Sequence, residues 1–171
     1  IYIPDLLACG AFWAITRWEV LMPSIMHPRL GFTHIEVGQI AGDDPDVEIH
    51  KLAGKAPEWR KAGRIDPFHV VDDISTFKPV GRWAGKGVPS NENTGLFVIF
   101  NRCSDPSKVD EWHDWLDNVH LPECMEVGGF PTVSRWARLH PEHHRPNHIV
   151  LYDLQGDDLE KGLRAVSEIN Q

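Results

Sequence analysis

Alternation of apolar and polar residues is the clearest pattern along this chain, and it occurs in two pairs of stretches. Side chains on a strand alternate between two faces, so a period of two in segments rich in Trp, Ile and Val indicates half-buried strands. A continuous apolar run indicates another strand, and a shorter run could extend from 68–71 through 77–83. The predicted strands are 12–22, 32–40, 68–71 with 77–83, 96–103, 131–139 and 147–154.

Helical spacing of apolar residues predicts helices over 47–61, 106–118 and 159–169, and residues 1–9 have the pattern of a helix end closed by Gly10. The helix over 106–118 opens with Ser-Asp-Pro-Ser, which supplies N-cap and first-turn residues. Its predicted buried face consists of Val109, Trp112, Leu116 and Val119. We expect this helix to end just before His120 and Pro122, because proline in a helix interior removes a hydrogen bond.

The chain contains an internal repeat. Aligning Pro4 with Pro122 places residues 1–23 over 119–141 without a gap, and seven positions are identical. After a loop the match resumes, with 33–44 over 147–158. Self-similarity in two collinear blocks indicates a duplicated unit. We therefore predict a first repeat over 1–83, a linker over 84–94 and a second repeat over 95–171.

The order of elements in each repeat is part of β-α-β-β-α-β, the ferredoxin-like pattern. The first repeat lacks the opening strand and helix, and the second lacks the last strand. We expect either that terminal residues are missing from this sequence or that neighbouring subunits complete the sheets. The predicted fold class is α+β, built from two ferredoxin-like repeats.

Composition excludes several classes of protein. The formal net charge of −8 and the lack of a basic stripe argue against binding of nucleic acid. No apolar run is long enough to span a membrane, and no signal peptide is visible. The three cysteines have no paired spacing, which is typical of reduced thiols in a cytoplasmic protein. We expect no membrane partner.

The segment Trp112-His-Asp-Trp-Leu-Asp-Asn-Val-His-Leu-Pro-Glu123, followed by Gly129-Phe130 and a Ser-Arg-Trp strand, resembles the dimeric α+β-barrel superfamily, and within it the EthD-like proteins. The resemblance covers nearly all of the second repeat and, more weakly, residues 1–44. It implies that two ferredoxin-like units pair sheet to sheet in a dimeric α+β-barrel-type arrangement, here within one chain. It also implies cofactor-free chemistry on small molecules. We further expect a homo-oligomer. The superfamily includes monooxygenases, dehydratases, cyclases, isomerases, lyases and proteins without known activity.

His120 is the predicted catalytic residue, because imidazole can accept or donate a proton near neutral pH. The alternative is that its ring caps the helix end or packs against Trp115. Tyr2 occupies the aligned position in the first repeat and could hydrogen-bond a substrate oxygen there, or only pack. Trp112, Trp115 and Trp136 are predicted to wall the substrate site.

Two further pairs of aligned residues are candidates for substrate binding. His34 and His148 lie on equivalent strands and point either into pockets or onto half-wet faces, and Tyr152 shares a strand face with His148. Arg135, aligned with Arg17, could bind an acidic or phenolate group or pair with a neighbouring acid. Arg135 and Trp136 are adjacent, so their side chains point to opposite faces of the strand.

No cofactor and no metal site are predicted. The histidines of the loop around 140–144 have no counterpart in the other repeat, and a His-rich tract is only a compositional hint of metal binding. The aspartates at 43–44 and 157–158 precede helices and are better explained as caps. No phosphate loop or nucleophile elbow is present.

The sequence thus favours a cofactor-independent enzyme of lyase, dehydratase or isomerase type that acts on a small hydrophobic, aromatic or polyketide-like molecule. The open alternatives are a cofactor-free monooxygenase and a non-catalytic ligand-binding or assembly protein.

Overall fold

The computed structural model describes residues 3–19, 34–68, 70–71, 73–84, 95–128, 130–141, 145–155 and 164. Over these ranges the chain is α+β, as predicted, with one two-stranded and one four-stranded antiparallel sheet. It divides into two compact units, Ile1–Thr76 and Phe77–Gln171. Several predicted features lie outside the described residues: Tyr2, the linker beyond residue 84, loop residues 142–144, the aspartates at 157–158, and the last helix except Arg164.

Among its described residues, the first unit contains four elements: α1 (Ile3–Ala8), β1 (Phe12–Glu19), β2 (His34–Ile40) and α2 (Pro45–Lys61). Strands β1 and β2 pair antiparallel, from Phe12 opposite Ile40 to Glu19 opposite His34.

Two turn predictions in this unit are confirmed. Gly10 follows α1 with a φ of +76°, in the left-handed region that favours glycine after a helix. The Asp44 carboxylate caps α2, because Oδ1 accepts from the backbone N–H groups of Asp46 and Val47 at 3.0 and 3.2 Å.

The described part of the second unit carries a four-stranded sheet and an interrupted helix. Its elements are β3 (Phe77–Ala84), β4 (Gly95–Asn101), a 3₁₀ turn (Pro106–Lys108), α3 (Val109–Trp115), a π-helical turn (Leu116–His120, hereafter the π turn), α4 (Leu121–Gly128), β5 (Thr132–Arg138) and β6 (His148–Leu154).

The strand order in the second unit is β3-β5-β6-β4. Both β4 and β5 pair antiparallel with β6, so they run parallel to each other with β6 inserted between them. Together with the helix that connects them, they form a split β-α-β unit. Strand β3 is at the sheet edge, and its pairing with β5 shifts register next to Pro79, a residue that edge strands and bulges tolerate.

The core of the second unit lies between this helix and one face of the sheet. Leu121 and Cys124 from α4 contact Val133 of β5 and the alternate residues Val150 and Tyr152 of β6, and every one of these side chains is buried. The Tyr152 ring also packs against two phenylalanines, with ring centroids 5.5 Å from Phe97 and 4.8 Å from Phe130. Removal of this apolar surface from water is the main stabilising term of the unit.

Three sequence predictions are corrected. The helix does not end near residue 118 but continues through the π turn into α4, as far as Gly128. Residues 68, 70 and 71 are not in a strand, and the strand of this region lies at Phe77–Ala84. That strand, placed by the sequence in the first repeat, hydrogen-bonds β5 in the sheet of the second unit.

Candidate functional site

The π turn sets which helix residues face the sheet. The Leu121 N–H donates to the carbonyl of Leu116, five residues earlier. Pro122 follows at once and has no N–H to give to the carbonyl of Asn118, which removes one α-helical bond here. The wider turn adds a residue to the helix, and π turns of this kind occur frequently at functional sites. The chain therefore avoids a break at Pro122 by widening the helix ahead of it.

The extra residue also corrects the predicted buried face. The apolar stripe runs from Leu116 to Leu121, a step of five residues, so Val119 is turned outward and is 42% exposed. Regular helical spacing would have put Val119 beneath Leu116 instead. As a consequence His120 lies next to the core.

His120 is half-buried in the π turn and stacks on Trp115, with ring centroids 4.7 Å apart and an interplanar angle of 19°. The packing of the ring on Trp115, an alternative raised by the sequence, is therefore present. The Sγ atom of Cys124 lies 3.7 Å from Nε2 and 3.9 Å from Nδ1. Burial lowers the pKa of His120, and the Glu123 carboxylate opposes this in part. The imidazole is therefore neutral at pH 7.

Cys124 and Tyr152 are two buried neutral groups behind His120. Burial raises the pKa of the Cys124 thiol and also that of the Tyr152 phenol. Tyr152 is 1% exposed. It shares a strand face with His148, as predicted from their spacing, but that face is the core face of β6.

Among the described residues of the second unit, Arg135 is the most deeply buried charged side chain, at 2% exposure. Its Nη2 donates to Oδ2 of Asp117 in the π turn at 2.6 Å, so the ion pair proposed from sequence is formed. Arg135 Nε and Nη1 and Asp117 Oδ1 are buried without a hydrogen-bond partner among the described residues. Each unmet buried polar group costs about 1–3 kcal/mol, more when charged, so this pair is an energetic liability to the fold.

His113 and His148 extend this polar cluster. Their rings meet edge to face with centroids 4.8 Å apart, and Trp112 lies 5.0 Å from the His148 ring. His113 Nε2 and His148 Nδ1 are buried and have no hydrogen-bond partner in the described part of the chain.

Both imidazoles of this cluster resist protonation. Burial, the neighbouring His113 and the Arg135 charge lower the pKa of His148 to about 4. Burial and then Arg135 lower the pKa of His113, against the raising effect of Asp117 and Asp110. At neutral pH the imidazoles of His113 and His148 are therefore both uncharged. We call Arg135, His113 and His148 the arginine–histidine cluster.

Sequence reasoning missed His113 and Asp117. The signal that could have found them is their spacing in the sequence. His113 and Asp117 are four residues apart, so on a helix they lie on the same side. Asn101 on β4 lies opposite His148, and its side-chain Oδ1 is also buried without a hydrogen-bond partner among the described residues.

Two other predicted substrate-binding residues of the second unit, Trp136 and Trp115, are not part of this cluster. Trp136 is on the other face of β5 from Arg135, as predicted, and its Nε1 donates to Ser134 Oγ at 2.9 Å. Trp115 is 46% exposed beside His120. His34 is exposed at the start of β2 in the first unit, and Tyr2 is outside the described residues.

Within the described ranges, no three His, Cys, Asp or Glu side chains are grouped closely enough to hold a metal ion. Among the same residues, no helix has the length and apolar character needed to cross a membrane. The chain matches no protein-family model, no curated protein and no solved structure.

Proposed function

We propose that this protein is a cofactor-independent enzyme that moves a proton on a small hydrophobic molecule of aromatic or polyketide type, with His120 as general acid and base. The reaction class is elimination or isomerisation. The observation that carries the proposal is the setting of His120. Its ring is partly accessible, is kept neutral by burial, and has the Cys124 thiol as its only polar contact among the described residues.

The chemistry follows from this setting. A neutral imidazole can take a proton from a carbon next to a carbonyl group, and the electron pair of that C–H bond then forms an enolate. In an isomerisation the imidazolium returns the proton to another carbon. In a dehydration it protonates a departing hydroxyl group, which leaves as water while the enolate electrons form the new double bond. Trp115, stacked on the ring, orients it and provides an apolar surface for the substrate.

We also propose an architecture for this enzyme. The two repeats are ferredoxin-like units arranged as in dimeric α+β barrels of the EthD-like kind, and the protein forms a homo-oligomer. The split β-α-β unit supports the ferredoxin-like arrangement. The pairing of β3, which precedes the linker, with β5, which follows it, supports it as well. The three cysteines are free, which supports a cytoplasmic location.

A substrate screen tests the proposal. Wild type, His120→Ala and His120→Gln are incubated with a panel of hydroxylated aryl ketones and polyketide-like compounds, and products are followed by mass spectrometry. The control is His50→Gln, which changes an exposed ring on α2 of the first unit. We expect turnover by wild type and the control, and a loss of about 10²–10⁴-fold in both His120 variants.

Parallel reactions without oxygen separate the alternatives. Product formed equally with and without oxygen supports proton transfer, whereas product that requires oxygen supports a cofactor-free monooxygenase. Equal turnover by wild type and His120→Ala removes His120 from the mechanism. If ligands bind and none is converted, the protein is a binding protein in which His120 only packs on Trp115.

A further inference from the structure

Arg135 is buried with most of its hydrogen-bonding capacity unused. A guanidinium offers five N–H donors, and here Nη2 meets Asp117 while Nε and Nη1 have no partner in the described part of the chain. The aligned residue of the first repeat differs. Arg17 is exposed in its ion pair, and both its Nε and its Nη2 donate to one carboxylate oxygen of Glu36. The open donors of Arg135 are therefore particular to the second repeat.

Two imidazole nitrogens add to these open donors. His113 Nε2 and His148 Nδ1 are buried and unpartnered among the described residues, on rings whose centroids are 4.8 Å apart. The rings themselves are only partly buried, and so is Trp112 beside them. The arginine–histidine cluster thus combines buried, unpartnered polar atoms with side chains that are partly exposed at its edge.

We propose that the arginine–histidine cluster binds the negatively charged oxygen of a planar acid, a carboxylate or an ionised phenol or enol conjugated to an apolar ring. The guanidinium Nε and Nη1 would donate to the anion, and an imidazole N–H would donate as well. Charge-assisted bonds from arginine are the strong, geometrically specific ones. Trp112 would pack against the ring of the ligand. This inference rests on the proposed function in that the anion would belong to its substrate.

Binding of an anion at this position would favour protonation of the two imidazoles. The charges that face the two imidazoles are Arg135 on β5, Asp117 in the π turn and Asp110 on α3, and the imidazoles face each other across α3 and β6. Strand β4 adds only the uncharged amide of Asn101. An anion beside Arg135 offsets the charge that disfavours protonation, so the pKa of each imidazole rises on binding.

Isothermal titration calorimetry tests the site with simple probes. Benzoate is compared with benzamide, and 4-nitrophenolate with nitrobenzene, so that each anion has a neutral partner of similar shape. We expect at least one anion to bind wild type about tenfold or more tightly than its neutral partner. The anion that does so identifies the acid class. Equal or undetectable binding of both anions and both neutral partners overturns the proposal.

Two further arms link the anion to the named residues. Arg135→Lys keeps the positive charge but loses the planar guanidinium group, so we expect this variant to lose the preference for the anion. The control Arg17→Lys should bind the anion with the same preference as wild type. Titrations of wild type with benzoate in two buffers of different ionisation enthalpy, near pH 5.5, are expected to show proton uptake that His148→Gln reduces. Unchanged anion preference in a folded Arg135→Lys, or no proton uptake when benzoate binds wild type, contradicts the inference.

The outcomes also separate this site from the proposed function. Anion-selective binding with normal turnover in His120→Ala would retain the site and reject the mechanism. Loss of turnover in His120→Ala without anion selectivity would retain the mechanism and reject the site.

Discussion

His148→Gln is expected to change how the stability of the protein depends on pH. The native ring is packed against Trp112 and His113, and its pKa is about 4 against an ordinary 6.5. The unfolded chain takes up a proton on this histidine near pH 6.5, whereas the native state takes it up only near pH 4. Acidification across that window therefore favours the unfolded state, and the stability contributed by neutral His148 is lost as the pH falls.

The size of the effect follows from the two pKa values. A tenfold difference in proton affinity is worth about 1.4 kcal/mol, so the shift from 6.5 to about 4 sets an upper limit near 3 kcal/mol. The ring is only partly buried, and solvent screening reduces this to roughly 1–2 kcal/mol. Removal of the titrating group should make the variant less sensitive to acid by that amount.

Urea unfolding followed by tryptophan fluorescence, from pH 7 to about pH 4.5, measures the effect. We expect the stability difference between wild type and His148→Gln to shrink by about 1–2 kcal/mol on acidification. The exposed control His50→Gln should show a constant difference from wild type. A pH-independent difference for His148→Gln would refute the claim that this imidazole is held neutral in the native state.

Three other predictions follow from packing and capping. Leu121→Ala should destabilise the protein by about 2–5 kcal/mol in urea unfolding, because Leu121 is 0% exposed. Val119→Ala should cost under about 1 kcal/mol, because Val119 is 42% exposed. Similar losses in the two variants would contradict the five-residue step of the π turn. Native Cys124 should be alkylated by iodoacetamide far more slowly than the partly exposed Cys103, as read by peptide mass spectrometry; equal rates would mean that the thiol is not buried. Asp44→Ala should cost about 1 kcal/mol of stability, and no change would mean that its cap on α2 contributes nothing.

The strands and the turn chemistry could be predicted from the sequence because they depend on local patterns. Buried residues alternate with partly exposed ones over most of β6, and the same period of two is present in its residue types. Gly10 and Asp44 were identified from their residue types alone, since a left-handed position and a helix start each favour a few side chains.

The helix geometry could not be predicted, because Pro122 has two outcomes. A proline can end a helix, or it can follow a π turn, in which the hydrogen bond that the proline cannot form is absent and the helix continues. Only the second outcome brings Leu121 under Leu116 and His120 beside Cys124.

The arginine–histidine cluster could not be predicted from the sequence either, because its three residues come from a helix and two strands that are distant along the chain. Arg135 and Arg17 occupy aligned positions in the repeat, yet one is buried with Asp117 and the other is exposed with Glu36. Asp117 belongs to the helix before β5 and Glu36 belongs to β2, a difference that alignment of the two halves does not encode.

The claim that His120 moves a proton is tested most directly by hydrogen–deuterium exchange on carbon. An aryl 1,3-diketone and related enolisable ketones are incubated in D₂O with wild type, His120→Gln or His50→Gln, and deuterium next to the carbonyl is measured by NMR. We predict that wild type and His50→Gln accelerate incorporation over buffer and that His120→Gln loses about 10²-fold or more of that acceleration. Equal acceleration by wild type and folded His120→Gln, or none by wild type with any of these ketones, would contradict the account.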